Sequence, residues 1–309
     1  MVQNSKKIIV IGGPTASGKS DLAVSLALWI KKNRKKFGVS GAEIISADSR
    51  QVYKGFDIGS GKITKEEMRG VRHWMLDIAS PKRTFTAHDY MIAGNRALKE
   101  IFKNNNVPVI CGGTGFYIDS LIYSPFIPEV PPQRELREEL ERLSVEELYL
   151  RLEKIDKRRA ENIDIKNKRR LIRAVEVAET LGGPIPETGK TLIYPTLIMG
   201  VKTDKDGLKN KIHKRLVKRI NAGMIDEVLN LHRKKGVPWK RLEDMGLEYR
   251  WTARYLRGKT DLEEMKKNLE KEIIHYAKRQ VTWFKREKGI IWIENFREAK
   301  KETKDFFGV

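Results

Sequence analysis

KKIIVIGGPTASGKSDLAV, residues 6–24, decides how the chain folds. Its centre is Gly13-Pro14-Thr15-Ala16-Ser17-Gly18-Lys19-Ser20, a complete G-x-x-x-x-G-K-[ST] pattern. The β-branched run Lys7–Ile11 ahead of it reads as a buried strand, and Leu22, Leu26 and Trp29 behind it recur at helical spacing. Between a strand and a helix, such a loop lets backbone N–H groups converge on an anion, and the helix adds its positive end. Residues 13–20 are therefore the expected phosphate cradle. Lys19 is placed to neutralise phosphate oxygens and Ser20 to ligate Mg²⁺. A chance glycine-rich turn is the bland alternative, and the strand–loop–helix setting argues against it. ATP or GTP is the usual occupant of this pattern, but the loop alone does not name its phosphates.

The alternation continues outward. Ala42–Ala47, His73–Ile78 and Val107–Cys111 read as further strands, Asp89–Lys103 as a helix, and a helix follows Gly112-Gly113-Thr114-Gly115 through Leu121. This order predicts an α/β, P-loop NTPase-like parallel sheet flanked by helices. Ligands of such sheets gather at the carboxyl ends of the strands. Three polar clusters sit there: the phosphate loop, Asp48-Ser49-Arg50-Gln51, and the Gly112–Gly115 run. Asp48 has two functional readings, an acid organising Mg²⁺ with Ser20 or a general base beside the phosphates. A turn or N-cap aspartate is the bland one. Gln51 has the paired donor and acceptor that suit an adenine edge. Thr114 opens a helix toward the same place, as a cap or as a site residue.

The middle of the chain changes character. Pro125, Pro128, Pro131 and Pro132 interrupt the pattern, and Leu136, Leu140, Leu143, Leu148, Leu152 and Ile155 then follow a helical period. A helix is expected from about Lys168 to Leu181, stopped by Gly182-Gly183 and Pro184, with Leu171, Ala174, Ala178 and Leu181 inward. Residues 129–189 thus form a small all-helical insert, and residues 1–128 and 190–309 a discontinuous core. Pro195–Val201 reads as the sheet resuming. Thr260-x-x-Glu263 reads as a capping box for a helix to about Lys285, and Gly289–Glu294 as a last strand.

Charge is uneven along this plan. The 309 residues carry 62 Lys+Arg against 41 Asp+Glu, net +21. By segment, 1–128 is +9, 129–189 is −1 and 190–309 is +13. That excess suits a polyanion, with nucleic acid first among candidates. Within the insert, Lys157–Arg173 concentrates eight basic residues against two acidic ones. Arg169 and Arg173, at i,i+4, would make a comb for a phosphate backbone, or an ordinary solvated face. Trp283 and Phe284 lie among Lys278, Arg279, Lys285 and Arg286; packing onto the core is favoured over base stacking. One cysteine, Cys111, excludes a disulfide framework, the five histidines have no zinc-ligand spacing, and His73 reads as a satisfied strand residue. No apolar run approaches the ~20 residues of a membrane span. MVQNSKK has no signal-peptide core, so a cytoplasmic protein is expected.

Together the blocks resemble the tRNA dimethylallyltransferases (tRNA isopentenyltransferases). GPTASGKS, ISADSRQVYKGFDIGSGK, GVRHWMLDI, GGTGFYIDSL, RRLIRAVEV, GMIDEV and AKRQVTWF stand in that family's order, from about residue 8 to 286. The resemblance implies that the loop grips the diphosphate of dimethylallyl diphosphate. The acceptor it implies is N6 of the adenine just 3′ of the anticodon (position 37). It assigns Asp48 as general base, Lys19 and Arg215 as diphosphate partners (Arg219 the less favoured substitute), Thr114 to the reaction centre, and Mg²⁺ as cofactor. The tRNA contacts it implies are Asp48, Ser49, Arg50, Gln51, Thr114, Arg137, Arg169, Arg170 and Arg173, the insert being a clamp on the anticodon stem-loop. A monomer is expected. The sequence departs from the family at Gly59-Ser60-Gly61-Lys62-Ile63, where GTAKP is usual, and at Ile274-His275 before Tyr276, where Thr-Arg is usual. The zinc finger of some eukaryotic relatives is missing, which fits the bacterial type. Two other enzymes compete with this reading, a P-loop kinase and an isopentenyltransferase acting on free AMP or ATP. A non-catalytic RNA-binding protein is a third class.

Overall fold

The computed structural model describes residues 6–124, 130–186 and 190–309. Pro125, Pro128 and the expected boundaries at 128/129 and 189 lie outside the described residues. The chain divides into two compact units, residues 1–122 with 192–309, and residues 123–191.

In chain order the first part of unit 1 runs β1 (Ile8–Gly12), α1 (Lys19–Lys32), α2 (Arg34–Phe37), β2 (Gly41–Ala47), α3 (Lys65–Met68), β3 (His73–Trp74), α4 (Ala87–Lys103), β4 (Asn106–Gly112) and α5 (Gly115–Ile122). Unit 2 contains β5 (Tyr123–Ser124), α6 (Arg134–Leu140), α7 (Val145–Ile155), α8 (Lys157–Asn162) and α9 (Lys168–Leu181), with β6 (Thr191–Leu192) at its end. Unit 1 then resumes with β7 (Thr196–Val201), α10 (Lys205–Asn221), α11 (Met224–Arg233), α12 (Trp239–Met245), α13 (Leu247–Leu256), α14 (Leu262–Lys285), β8 (Ile290–Ile293) and α15 (Phe296–Phe307).

The sheet has the order β3-β2-β4-β1-β7-β8, and its described pairings are parallel. β1 is central and wholly buried, which is why it reads as an unbroken apolar run rather than an alternating one. Ile9, Ile11, Val24, Ile30, Val109 and Met199 join in the core on the α1 side. β1, β2 and β4 all end at the same edge, so the loops after Gly12, Ala47 and Gly112 converge.

Three sequence expectations fail locally. β3 stops at Trp74 instead of Ile78 because Met75 and Asp77 adopt left-handed backbone and turn the chain off the sheet edge. Lys62 then holds Asp77 at 2.6 Å. The N-cap of α14 is Asp261, which accepts the Glu264 amide at 2.8 Å, while the Thr260 hydroxyl bonds the Glu264 carboxylate instead. Leu181 is 46% exposed rather than inward, being the last residue before the left-handed Gly182 cap.

Unit 2 packs Leu140, Leu148, Leu152, Leu171 and Val175 around a buried charge. Glu176, with a fully covered side chain, accepts Nε and Nη2 of Arg137 at 2.8 Å each, Nη1 of Arg173 at 2.6 Å and the Gln133 amide at 2.7 Å. Nη2 of Arg173 also donates to the Val130 carbonyl at 2.8 Å. Thus Arg173 is turned onto Glu176, three residues on, rather than into a comb with Arg169. Arg169 and Arg170 remain exposed. Burial works to raise the Glu176 pKa, but the Arg137, Arg173 and Gln133 bonds outweigh it and hold it below the ordinary value. A carboxylate depressed on folding stabilises above its unfolded pKa and loses that stability as pH falls through its folded one. Amide protection in α9 is therefore expected to weaken below about pH 4.3. Glu176→Gln should remove this acid dependence and cost about 1–3 kcal/mol at pH 7. Hydrogen exchange of α9 against pH measures both; a flat wild-type profile would contradict the depressed carboxylate.

Candidate active site

Two of the converging loops, those after Gly12 and Ala47, border a cavity of about 700 Å³, lined by residues 15–20, 48–51 and 60–61 and by α10, α13 and α14 side chains; the loop after Gly112, with Thr114, lies behind this lining. Gly18 caps α1 at φ +85°, a backbone most side chains would strain, so the turn into the helix needs glycine there. The first amides of α1 have no helical acceptor and open toward the loop. Ser17 Oγ is buried in the loop and has no hydrogen-bond partner among the described residues, the condition of a group awaiting a ligand. Nζ of Lys19 donates to the Pro14 carbonyl at 3.0 Å, arching back over the loop. Burial pushes its pKa below 10.5; nearby Cys111 and Asp48 oppose this, and Arg215 and Arg219 add to it.

Asp48 follows β2. Its Oδ1 accepts the Arg50 amide at 2.8 Å and the Gln51 amide at 3.3 Å. This is the turn-capping arrangement, and it leaves Oδ2 without a hydrogen bond among the described residues. The turn reading of Asp48 is thus observed, and it leaves Oδ2 open for either of the two functional readings. Thr114 accepts the Ser49 amide at 3.1 Å, which joins the β4 loop to the β2 loop. Burial pushes the nearby Tyr276 phenol up to about 12, with Asp48 adding to the rise. The Gln51 amide is used internally: Ser46 Oγ lies 3.2 Å from its oxygen, and its nitrogen donates to the Gly61 carbonyl at 3.2 Å. The free end for base reading that the sequence suggested is thus partly spent on the loop.

α10 supplies the far wall. Lys211, Lys214, Arg215 and Arg219 line the cavity. Arg219 is neutralised by Glu248 at 2.7 Å and donates to the Gly59 carbonyl at 3.1 Å. Arg215 has no carboxylate within ion-pair distance among the described residues. Burial pushes it down to about 10, with Arg219 adding to the fall, so it stays cationic at neutral pH. Of the two, Arg215 is the one left for an anion. Glu227, in the GMIDEV block, accepts the amides of Asp57 at 3.0 Å, Ile58 at 2.6 Å and Gly59 at 3.0 Å. It thereby shapes the loop whose sequence departs from GTAKP.

Glu227 and Gln280 stand in the GMIDEV and AKRQVTWF blocks, but nothing in their local sequence marks either as a site residue. Gln280 is buried on α14, and Phe284, 1% exposed, packs against Gly12 as core rather than as a stacking platform. His73 bonds the Val71 carbonyl at 2.8 Å, and burial lowers its pKa, as befits a structural histidine. Burial pushes the Cys111 thiol up to about 11. Arg137, Arg169, Arg170 and Arg173 belong to unit 2.

A phosphate loop, a carboxylate with a free oxygen and a basic wall on one parallel-sheet edge define a P-loop-type group-transfer enzyme. The sequence model of the IPP transferase family matches residues 51–287. The tRNA dimethylallyltransferase 1 of Syntrophus aciditrophicus (strain SB) is 39% identical over 306 residues, covering 96% of this chain and 97% of that one. The full-length tRNA isopentenylpyrophosphate transferase of Bacillus halodurans superposes with a TM-score of 0.70 at 32% identity, over 98% of this chain and 96% of that one. A eukaryotic dimethylallyltransferase acting on tRNA shares the fold, with a TM-score of 0.76 at 23% identity over 97% of this chain and 77% of that one. The chain belongs to the IPP transferase family.

Proposed function

We propose that the chain is a tRNA dimethylallyltransferase that moves the dimethylallyl group of dimethylallyl diphosphate onto N6 of adenine 37 in the anticodon loop, releasing diphosphate. The observation that carries this reading is the opening of Asp48 and the phosphate loop onto one cavity. An adenine amine is a weak nucleophile because its lone pair is delocalised into the ring. As N6 bonds to the allylic C1, the C1–O bond breaks and its electron pair leaves with diphosphate. The N6 proton passes to Asp48 Oδ2. The loop amides, Lys19 and Arg215 receive the charge that grows on the leaving oxygen. Thr114, tied to the Asp48 loop through the Ser49 amide, positions the acceptor beside them.

Mg²⁺ fits Ser20 and Asp48, which share the cavity wall. Ser20 would hold the ion together with the diphosphate oxygens, whose charge it would stabilise, and Asp48 would serve it only through solvent, its Oδ2 being kept for the N6 proton. Ser49, Arg50 and Gln51 border the acceptor side. Arg169 and Arg170, which are exposed, contact the tRNA backbone, while Arg137 and Arg173, drawn onto Glu176, hold the helix that presents them. The enzyme acts as a monomer in the cytoplasm. Among the described residues no helix is long and apolar enough to cross a membrane.

Incubation with dimethylallyl diphosphate and unmodified tRNA, followed by nucleoside mass analysis, should show one five-carbon unit on one adenosine. ATP turnover without prenyl transfer would establish the kinase instead. Preference for AMP over an anticodon stem-loop would establish the free-nucleotide enzyme.

A further inference from the structure

β1 and β4 run side by side only as far as the pair Gly12 and Gly112. Beyond that pair lie the two loops that must stay in register for transfer, one holding the leaving diphosphate and the other carrying Thr114. One side chain spans them. Oε1 of Gln280 accepts the Thr15 amide at 2.8 Å, and Nε2 donates to the Gly113 carbonyl at 3.0 Å. Gln280 is 6% exposed and lies near the C-terminal end of the 24-residue α14. Its neighbours fix it there. Ala277 packs with Ala16 of the phosphate loop, and Phe284 packs against Gly12. The fit is close, since a Cβ on Gly113 would overlap the Gln280 amide. The link reaches further through Thr114, whose amide donates to the Ala47 carbonyl at 3.0 Å and whose hydroxyl takes the Ser49 amide. A continuous set of hydrogen bonds therefore joins the phosphate loop to the residue next to Asp48.

We propose that Gln280 is a positioning residue that sets the spacing between the phosphate loop and the Thr114–Asp48 side of the cavity. The role rests on the dimethylallyl-transfer reading. In-line transfer needs the allylic carbon and N6 within about 3–3.5 Å, and a misplacement of about 1 Å can cost on the order of 10²-fold. An amide suits the task because it offers one acceptor and one donor on a flat, rigid head. Methionine has the length and neither bond.

The test uses the full chain as wild type, Gln280→Met, Thr114→Ala and the double variant. Single-turnover transfer at saturating substrates is measured beside binding of inorganic diphosphate and of an anticodon stem-loop. Gln280→Met should slow saturated transfer on the order of 10–10²-fold and weaken diphosphate binding about tenfold, with stem-loop binding within about twofold of wild type. Because Gln280 acts through the Thr114 loop, its loss should not multiply with that of Thr114→Ala. Fully multiplicative losses, or Gln280→Met transferring at the wild-type rate, would overturn the role. Should the methionine variant fail to fold, Gln280→Glu keeps the size and the acceptor for Thr15 but brings no hydrogen to Gly113. Its saturated rate must also fall, and a wild-type rate would again overturn the role. A wild-type chain inactive on tRNA would sink the transfer reading itself; an active wild type with unaffected variants would sink only the role of Gln280.

Discussion

Asp48→Ala is expected to lower the saturated transfer rate by on the order of 10²-fold or more while tRNA binding persists. The size follows from what the carboxylate removes. Without a base, N6 becomes a protonated, cationic centre as it bonds to carbon, beside an allylic carbon that is itself electron-poor. Alanine also removes the two bonds that Oδ1 makes to the Arg50 and Gln51 amides, so part of its effect could come from a loosened turn. Asp48→Asn separates the contributions. Its amide oxygen can keep both turn bonds, but it has no basic lone pair for the N6 proton. If Asp48 is the base, asparagine should be nearly as slow as alanine. An asparagine variant near the wild-type rate would leave Asp48 only its turn role.

Much of this site is visible in the sequence because its chemistry is local. The phosphate loop needs its glycines and lysine at fixed spacing, and Asp48 and Thr114 each stand one or two residues past a strand of the sheet. A parallel sheet brings such positions together without further information. Contacts that cross long sequence distances are not visible in that way. Gln280 reaches Thr15 across 265 positions, and Glu227 reaches Ile58 across 169. Nothing in their own neighbourhoods distinguishes them from the other polar residues of an amphipathic helix. The pairing of Arg173 with Glu176 is local, yet it was missed for another reason. Helical spacing gives the direction of each side chain but not whether a buried carboxylate will claim it. The early end of β3 likewise depends on left-handed backbone at Asp77 and at Met75, and at Met75 residue type does not favour it. The choice between Arg215 and Arg219 rests on Glu248, which neutralises only the second.

Lys19→Ala is expected to slow transfer on the order of 10²–10³-fold and to weaken diphosphate binding with it. Lys19 is partly buried in the cavity wall, where water screens its charge less than at the surface, and removing it leaves the loop amides and Arg215 to hold the leaving group. Lys19→Arg should not restore the rate. A planar guanidinium is larger than the ammonium that fits under the Pro14 carbonyl. The pH dependence gives a second and independent check. Burial lowers the Lys19 pKa from 10.5, so in the free enzyme the cation is lost at a lower pH than a solvated lysine would lose it. The value of kcat/KM for dimethylallyl diphosphate reports the free enzyme and should begin to fall below pH 10.5, with Arg215, at about 10, sharing that limb; Lys19→Ala should leave only the Arg215 part of it. Bound diphosphate adds negative charge beside Nζ, favours the ammonium and raises its pKa again. The alkaline limb of kcat should therefore lie at higher pH than that of kcat/KM. Coincident limbs, or an alanine variant transferring close to the wild-type rate, would remove Lys19 from the charge-stabilising role.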